Sequence, residues 1–358
     1  MPLPEVPGII NAKDLQLTAS TIAEWQLPNG MIPWFPGGHC DPWNHVEAAM
    51  ALACAGHLDE AEAAYEWLLQ TQHTDGLGSG GWHQYYLSDG IEDTKFDANV
   101  IAYIATGVWH HWLMTKDRGF LEHMWLSVDQ AIEFVLRLQT SNGPILWARH
   151  ENGTPWPYAL LTGSSSICHS LRCAIAIGEE LGHDRPDWEL SLAHLAHAIR
   201  TKPEGAFAPK ERWAMDWYYP VLSGALDKKD TLSHLEAQRK KFIIEDHGVR
   251  CVSDQDWVTA AETCECSMAY LVAGDRSSAL DLFKGALEMR LDNGKCLTGL
   301  VHPGHISFPE NECTTYTAAA IILAADAISG SSPASSLFVD HSSLPDIIDT
   351  ETVARKRD

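Results

Sequence analysis

Two kinds of helical segment alternate along the chain. In the first kind, apolar residues recur at positions i, i+3, i+4 and i+7 with charged residues between them, as in segments 58–72, 126–140 and 277–290. In the second kind, nearly every residue is apolar or small, as in segments 45–56, 99–113, 166–178 and 314–328. A helix with one apolar face lies at a surface, whereas a helix that is apolar all round is buried. The pattern therefore predicts outer and inner helices in alternation.

A turn dipeptide that ends in glycine follows each outer helix. The six dipeptides are Asn29-Gly30, Asp75-Gly76, Asn142-Gly143, Glu204-Gly205, His247-Gly248 and Asn293-Gly294. Their glycines are separated by 46, 67, 62, 43 and 46 residues, which indicates an internal repeat with loop insertions. With a first outer helix near residues 15–26, the chain has six outer and six inner helices. We expect these pairs to close into a ring, so the predicted fold class is all-α, an (α/α)6 barrel.

The repeats extend to about residue 330, so we expect one barrel domain over residues 1–330. Residues 331–358 are polar and rich in serine, and we expect them to form a flexible C-terminal tail. All loops that run from an outer to an inner helix lie on the same rim of such a barrel. The N-termini of the inner helices converge there, and this rim is the expected functional face.

Composition excludes several classes of partner. The chain of 358 residues has 25 basic and 48 acidic residues, a net charge of −23, which repels nucleic acid and anionic membranes. We find no apolar run long enough for a membrane span and no secretory signal pattern, so we expect a cytoplasmic protein. The nine cysteines lie mostly in apolar segments without a C-x-x-C pair. They are typical of reduced core thiols, and we expect no metal and no cofactor.

Acidic residues gather before the inner helices. They are Asp41, Asp93, Asp97, Asp216, Asp254, Asp256, Glu310 and Glu312. Aspartate is a favoured helix N-cap, because its side-chain oxygens accept hydrogen bonds from unpaired helix N–H groups. For Asp41, Asp93 and Asp256 this structural role explains the residue at least as well as a catalytic role does.

Glu262 is harder to explain by capping. If the fifth inner helix begins near Asp256, Glu262 lies about 9 Å along it, beside Ala260 and Ala261 on an otherwise buried helix. A buried carboxylate needs a partner or stays protonated. Glu262 is therefore either a functional acid or the partner of a buried arginine.

Aromatic residues are frequent in the same rim loops. Many of the 14 tryptophans lie there: Trp34, Trp43, Trp82, Trp147, Trp156, Trp213, Trp217 and Trp257. Trp217 is placed there because Pro220 suits the first turn of the fourth inner helix. The flat apolar face of tryptophan and its single N–H donor suit stacking on sugar rings or the lining of a hydrocarbon cavity. The loops therefore predict an aromatic pocket for either kind of small-molecule substrate.

Two families have repeats of this kind. Segment 70–82, QTQHTDGLGSGGW, resembles the Q…DG…W repeat of prenyltransferases and squalene cyclases. The motif DQDW at 254–257 is similar to the Asp-x-Asp-Asp acid motif of the cyclases, with Asp254 and Asp256 at its first and third positions and Trp257 at its last. This resemblance implies an isoprenoid substrate protonated by Asp254 and Asp256. Segments DPWNHVEAAMAL, MDWYYPVL and DWVTAAETCE also resemble bacterial proteins labelled prenyltransferase from repeat similarity.

The barrel also resembles the six-hairpin glycosidases of the glucoamylase type. That resemblance implies two rim carboxylates, a general acid and a base or nucleophile. The base of glucoamylases precedes the last inner helix, where this chain has Glu310 and Glu312. Their acid precedes the third inner helix, where this chain has Glu151 followed by serines.

We therefore expect a carbohydrate-active enzyme, a glycoside hydrolase acting on an oligosaccharide. Glu262 is the predicted acid and Glu312 the predicted base, with Glu310 as the second choice. The residues expected to bind sugar hydroxyls, or to replace one of the pair, are Asp41, His45, Asp97 and Asp216, and Asp256 is expected to contact substrate. The rings expected to stack on sugars are Trp43, Trp217, Tyr218 and Trp257.

Three alternatives remain at this point. The first is a terpenoid cyclase or prenyltransferase-like enzyme that uses Asp254 and Asp256. The second is a non-catalytic barrel that binds a peptide or glycan. The third is an epimerase or lyase on the same barrel, with His39, His45 or His169 as base.

Overall fold

Thirteen α-helices are present in the computed structural model, which describes residues 3–348. The outer helices are α1 (Ala12–Trp25), α3 (Leu58–Thr71), α6 (Arg118–Leu136), α8 (Pro186–Thr201), α10 (Lys228–Phe242) and α12 (Arg276–Ala286). The inner helices are α2 (Pro42–Cys54), α4 (Ala98–Ala102) with α5 (Ile104–Thr115), α7 (Leu161–Leu181), α9 (Met215–Leu222), α11 (Ala260–Val272) and α13 (Thr315–Ser329). Each inner helix packs on the next, and α13 packs on α2, which closes the ring. The predicted all-α (α/α)6 barrel is confirmed.

Short antiparallel strands cover the rim and were not predicted. They are β1 (Tyr85–Leu87), β2 (Gly90–Asp93), β3 (Phe96–Asp97), β4 (Ala148–Arg149), β5 (Ile243–Ile244), β6 (Gly248–Val249), β7 (Trp257–Thr259), β8 (Gly299–Val301) and β9 (Ile306–Ser307). The pairs are β1–β2, β3–β4 and β5–β6, and the last three strands form one sheet with β8 in the centre. Since β7 runs directly into α11, this sheet fixes where the fifth inner helix begins.

The repeated glycine does more than form a turn. All six predicted glycines have positive φ, between 64° and 133°. A Cβ on Gly30 would lie 2.0 Å from the carbonyl oxygen of Ala63, and one on Gly143 would lie 2.4 Å from that of His194. These carbonyls belong to α3 and α8, the next outer helices in the ring. At these two positions glycine therefore permits close contact between a turn and the neighbouring outer helix.

A glutamine completes this contact in the first three repeats. The Nε2 group of Gln26 donates to the carbonyls of Gly30 and Glu60, both at 2.9 Å. Gln139 makes the equivalent bonds to Gly143 and Ser191, both at 2.9 Å. Gln72 bonds to Gly80 and Ser127. Each glutamine thus links its own turn to the next outer helix. This arrangement explains, from packing alone, the Q…G spacing that resembles the cyclase repeat.

Gly143→Ala is expected to lower the free energy of unfolding by about 2–4 kcal/mol, because the methyl group combines left-handed backbone strain with a collision at His194. Gly205→Ala is the matched control: its φ is +73°, but nothing lies within 4 Å of the added Cβ, so only the backbone cost of about 1 kcal/mol remains. Urea denaturation of both variants measures the difference. Equal losses would show that the helix contact contributes nothing.

Two inner helices begin differently from the prediction. Pro220 lies inside α9, which starts at Met215, so the aromatic run after Asp216 is helical and buried instead of lying at the rim. Helix α11 starts at Ala260 with Thr259 as N-cap, because the residues before it form β7. Glu262 is therefore in the first turn of α11, at the rim, and not deep in the helix.

The segment after α13 differs from the expected flexible tail as far as residue 348. Leu337 and Leu344 are buried against the barrel. The guanidinium of Arg172, in α7, donates to the carbonyls of His341 and Pro345 at 2.8 and 2.9 Å. Residues 331–348 thus cover the end of the barrel opposite the rim. Residues 349–358 lie outside the described part of the chain. None of the helices in the described part is both long and apolar enough to cross a bilayer.

Candidate active site

A cavity of about 390 Å³ opens at the rim, at the N-terminal ends of α2, α4, α7 and α9. Its aromatic lining consists of Trp34, Trp43, Tyr85, Trp147 and Trp213. Its polar lining includes Asp41, Asn44, Gln84, Asp97, Asn99, Thr162, Lys210 and Asp216. Flat rings together with carboxylates and amides match the apolar faces and hydroxyl edges of sugars. A hydrocarbon substrate would bury these carboxylates and amides without hydrogen-bond partners, which costs free energy.

Asp41 is placed in the cavity by the start of α2. It is the N-cap, with Pro42 at the first helical position, and its Oδ1 accepts the N–H of Asn44 at 3.0 Å. Its Oδ2 accepts the indole N–H of Trp34 and the amide of Asn44, both at 2.7 Å. Burial raises the pKa of Asp41, and these donors oppose that shift. The prediction of an N-cap is confirmed, and the same carboxylate also faces the cavity.

Asp97 and Asp216 also lie in the cavity lining. Asp97 caps α4 by accepting the N–H of Asn99 at 3.0 Å, and burial raises its pKa to about 6. Asp216 accepts the N–H and the hydroxyl of Thr162 at 3.1 and 2.5 Å, and burial raises its pKa as well. Both positions agree with the expected sugar-binding face.

Three further carboxylates, Glu47, Glu262 and Glu265, lie close together between α2 and α11; we call them the carboxylate cluster. Oε1 of Glu47 accepts the indole N–H of Trp43 at 2.9 Å and the hydroxyl of Tyr103 at 3.1 Å. Burial is the main cause that raises the pKa of Glu47 to about 7, and the charges of Asp41 and Glu262 add to it. Glu47 therefore contacts the cavity residue Trp43 on one side and lies close to Glu262 of α11 on the other.

Glu265 is the second buried member of the carboxylate cluster. It accepts the hydroxyls of Tyr218 and Tyr219. Burial, followed by the charge of Glu47, raises its pKa well above the ordinary range. Like charges in a buried site disfavour one another, so each of these two carboxyl groups makes ionisation of the other less favourable.

Glu262 is the accessible member of the carboxylate cluster. It is half-buried in the first turn of α11. Its carboxylate accepts the thiol of Cys251, and its charge raises the pKa of both Glu47 and Glu265. Glu262 does not itself line the cavity on α2, α4, α7 and α9; Glu47 is close enough to feel the charges of both Glu262 and the cavity residue Asp41.

The predicted base does not join this site. Glu312 accepts the hydroxyl of Thr298 at 2.9 Å and lines a separate recess with Trp25 and Phe35. Glu310 is exposed on the same loop. Both residues lie in the loop between β9 and α13.

Three residues expected to contact sugar are buried away from the cavity. Trp217 is 1% exposed and stacks on Phe242 with ring centroids 5.2 Å apart. Tyr218 is fully buried against Glu265. His45 is fully buried, accepts the N–H of Ile32 at 3.1 Å, and burial lowers its pKa to about 4. Trp217 and Tyr218 point inward because α9 begins at Met215, earlier than the sequence pattern indicated. His45 points inward because it lies on the face of α2 that is turned toward the core.

The DQDW motif lies on the outer surface of the rim. Asp254 pairs with Arg212 at 2.7 Å, and Asp256 pairs with Arg250 at 3.0 Å. Trp257, in β7, donates its indole N–H to the carbonyl of Phe308 at 2.9 Å. None of these residues lines the cavity, so the motif has a structural role in the described protein. The expectation that Asp256 and Trp257 contact substrate is corrected accordingly.

Glu47 and Glu265 were not among the site residues predicted from the sequence. A usable signal was present, since each is an acid inside a helix that is otherwise apolar or small. Such a residue requires a buried partner or a proton. The same signal was used for Glu262 and would have led to the other two members of the carboxylate cluster.

Comparison with known proteins identifies the family. No family model matches the chain. The chain is 45% identical over 336 residues to an MMP endo-(1,4)-3-O-methyl-alpha-D-mannosidase from Mycolicibacterium hassiacum, with 94% of this chain and 92% of that protein covered. The chain belongs to the family of this mannosidase. It is a glycoside hydrolase, and its substrate is a carbohydrate.

Solved structures show the same fold at low identity. A glycosidase in complex with glucose is 15% identical with a TM-score of 0.68, covering 89% of this chain and 96% of its own. An alpha-amylase from Clostridium perfringens is 8% identical with a TM-score of 0.63, covering 87% and 97%. A D-mannose isomerase is 11% identical with a TM-score of 0.61, covering 90% and 99%. The mannosidase family and these barrels support the resemblance to glycosidases and not the resemblance to isoprenoid enzymes.

Proposed function

We propose that this glycoside hydrolase is an endo-acting mannosidase that cleaves (1,4)-linkages within chains of 3-O-methyl-α-D-mannose. The observation that carries the proposal is the identity of 45% with a mannosidase of that activity over 94% of the chain. The cavity suits such a substrate, because methylated sugars present more apolar surface to tryptophan rings than unmethylated sugars do. Trp43 and Trp147 are the rings placed to meet it.

For the chemistry we assign Glu262 as general acid and Asp41 as the second carboxylate. Glycosidic cleavage needs a carboxylic acid that protonates the leaving oxygen and an ionised carboxylate that activates water or attacks the sugar. Asp41 faces the cavity. Burial raises its pKa, and the three hydrogen bonds that it accepts oppose this rise and favour its ionised form. Glu262 is the carboxylate cluster's accessible member, and the buried Glu47 lies between the two.

We further propose a cytoplasmic location. All nine cysteines are unpaired, and all but Cys313 are buried. Unpaired thiols in this number are typical of a reducing compartment.

Product analysis on three substrates tests the proposed activity. The protein is incubated with α-(1,4)-linked 3-O-methyl-mannose oligosaccharides, with the unmethylated mannose equivalents and with maltooligosaccharides, and the products are separated by mass. We expect products of intermediate length from the methylated substrate and much slower cleavage of the other two. Release of monosaccharide only, or faster cleavage of the maltooligosaccharides, would contradict the proposal.

A further inference from the structure

Three histidines and a glutamate gather on the rim, away from the cavity. His247 lies in the β5–β6 turn, His302 and His305 lie in the β8–β9 turn, and Glu288 follows α12. The imidazole nitrogens available as ligands in the three histidines all lie within 4.8 Å of one another. We call these four residues the histidine cluster. No metal was expected from the sequence, because the cysteines lack a metal-ligand spacing and these histidines are far apart in the chain.

The donor atoms of the histidine cluster point to a common centre. Oε2 of Glu288 lies 3.1 Å from Nδ1 of His247 and 3.9 Å from Nδ1 of His305. The ring centroid of His302 lies 4.1 Å from that of His247 and 4.7 Å from that of His305. Three imidazoles and one carboxylate form a donor set that suits a tetrahedral Zn²⁺ ion.

One imidazole nitrogen in this cluster has no protein partner. His302 is 8% exposed, and its Nδ1 makes no hydrogen bond to any described residue. Its backbone N–H donates to the carbonyl of Asp256 at 2.8 Å, which fixes the position of the ring. A buried imidazole nitrogen without a partner costs free energy, and a metal ion satisfies it.

Neutral imidazoles are what a metal requires. The ring nitrogen that faces the ion must carry a lone pair instead of a proton. Glu288 supplies a negative charge that would offset part of the charge of the ion.

We propose that the histidine cluster binds one divalent ion of the imidazole-preferring class, Zn²⁺ in particular. The ion joins the β5–β6 turn, the end of α12 and the β8–β9 turn, three segments that are distant in sequence. Strand β8 pairs with β7 at Val258 and Leu300, and β7 runs directly into α11. The bound ion therefore links the β7–β8–β9 sheet, which fixes where α11 begins, to the outer helix α12.

Calorimetric titration of the full chain tests this site without any substrate. After treatment with a chelator and its removal, ZnCl2 is titrated into the wild-type protein and the variants His305→Asn and His247→Gln. We expect one Zn²⁺ per wild-type chain and a loss of affinity of more than about 100-fold in each variant, because removal of a direct ligand exceeds the effect of an outer partner. His305 suits substitution, since it is exposed and asparagine tolerates its φ of +50°.

His123→Gln is the matched control. His123 is an exposed histidine that pairs with Glu66 at 2.7 Å on the outer helices, so its loss is expected to leave Zn²⁺ affinity unchanged. Thermal melts give a second readout: Zn²⁺ is expected to raise the Tm of the wild type and of His123→Gln but not that of His305→Asn. Absence of stoichiometric binding to the wild type, or an affinity in His305→Asn and His247→Gln equal to that of the wild type, would overturn the site.

Discussion

Glu262→Gln is expected to lower kcat on 3-O-methyl-mannose oligosaccharides by about 10²–10⁴-fold, with KM little changed. Glutamine keeps the size of the side chain and can still accept the thiol of Cys251, but it has no proton to give to the leaving oxygen. Asp41→Asn is expected to reduce kcat in the same way. Asparagine is itself a good N-cap, so α2 keeps its start while the negative charge is lost. Release of reducing ends measures both variants.

Two further variants distinguish this assignment from the two alternatives suggested by the sequence. Glu312→Gln changes the base predicted from sequence, and Asp254→Asn changes the acid motif that resembles the cyclases. Glu312 lines a separate recess, Asp254 is held in an exposed ion pair with Arg212, and neither belongs to the carboxylate cluster, so wild-type kcat is expected. Loss of activity in Glu312→Gln together with full activity in Asp41→Asn would restore the pair predicted from sequence.

Glu47→Gln is expected to make the protein more stable above neutral pH, by about 3 kcal/mol. In the unfolded chain Glu47 ionises near its ordinary pKa of 4.5, whereas in the folded protein its pKa is raised to about 7. The unfolded state therefore binds fewer protons between these values, and the contribution of Glu47 to stability is lost as pH rises through about 7. Glutamine cannot ionise, and it keeps an oxygen that accepts from Trp43 and Tyr103.

Urea denaturation at pH 5 and pH 8 measures this effect of Glu47. The stability of the variant relative to the wild type is expected to rise between the two pH values. Glu310→Gln is the control, because that carboxylate is exposed and its loss leaves the pH dependence of the wild type intact. Parallel pH dependence in the wild type and Glu47→Gln would show that Glu47 ionises normally in the folded protein.

The architecture followed from the sequence because helical periodicity and burial are repeated in every pair. Six copies of one helix-pair pattern left few alternative arrangements of the helices. The first and last inner helices, α2 and α13, pack on each other as a closed ring requires. The rim strands could not be predicted, because most contain only two or three residues. Such strands are too short to show the alternation of apolar and polar residues that marks longer strands. The packing of residues 331–348 was also missed, because a few apolar residues in a polar segment, such as Leu337 and Leu344, carry no periodic signal.

The site followed from the sequence only where a helix start could be located. Asp41 and Trp43 lie at the start of α2, which the Asp-Pro pair marks in the sequence, and both line the cavity. Errors arose where the start was displaced. Trp217 was expected at the rim because Pro220 suggested a first turn, and Glu262 was expected deep in α11 because Asp256 suggested a cap. A shift of three or four residues is one helical turn, which exchanges rim and core positions.

The structure of Glu262→Gln with a bound 3-O-methyl-mannose oligosaccharide tests the site most directly. The variant is expected to bind substrate without cleaving it, so the sugar chain remains intact at the site of reaction. We predict that it occupies the rim cavity, with sugar rings against Trp43 and Trp147 and the scissile bond between Asp41 and residue 262. An oligosaccharide bound instead in the recess at Phe35 and Glu312, with the rim cavity unfilled, would contradict the assignment.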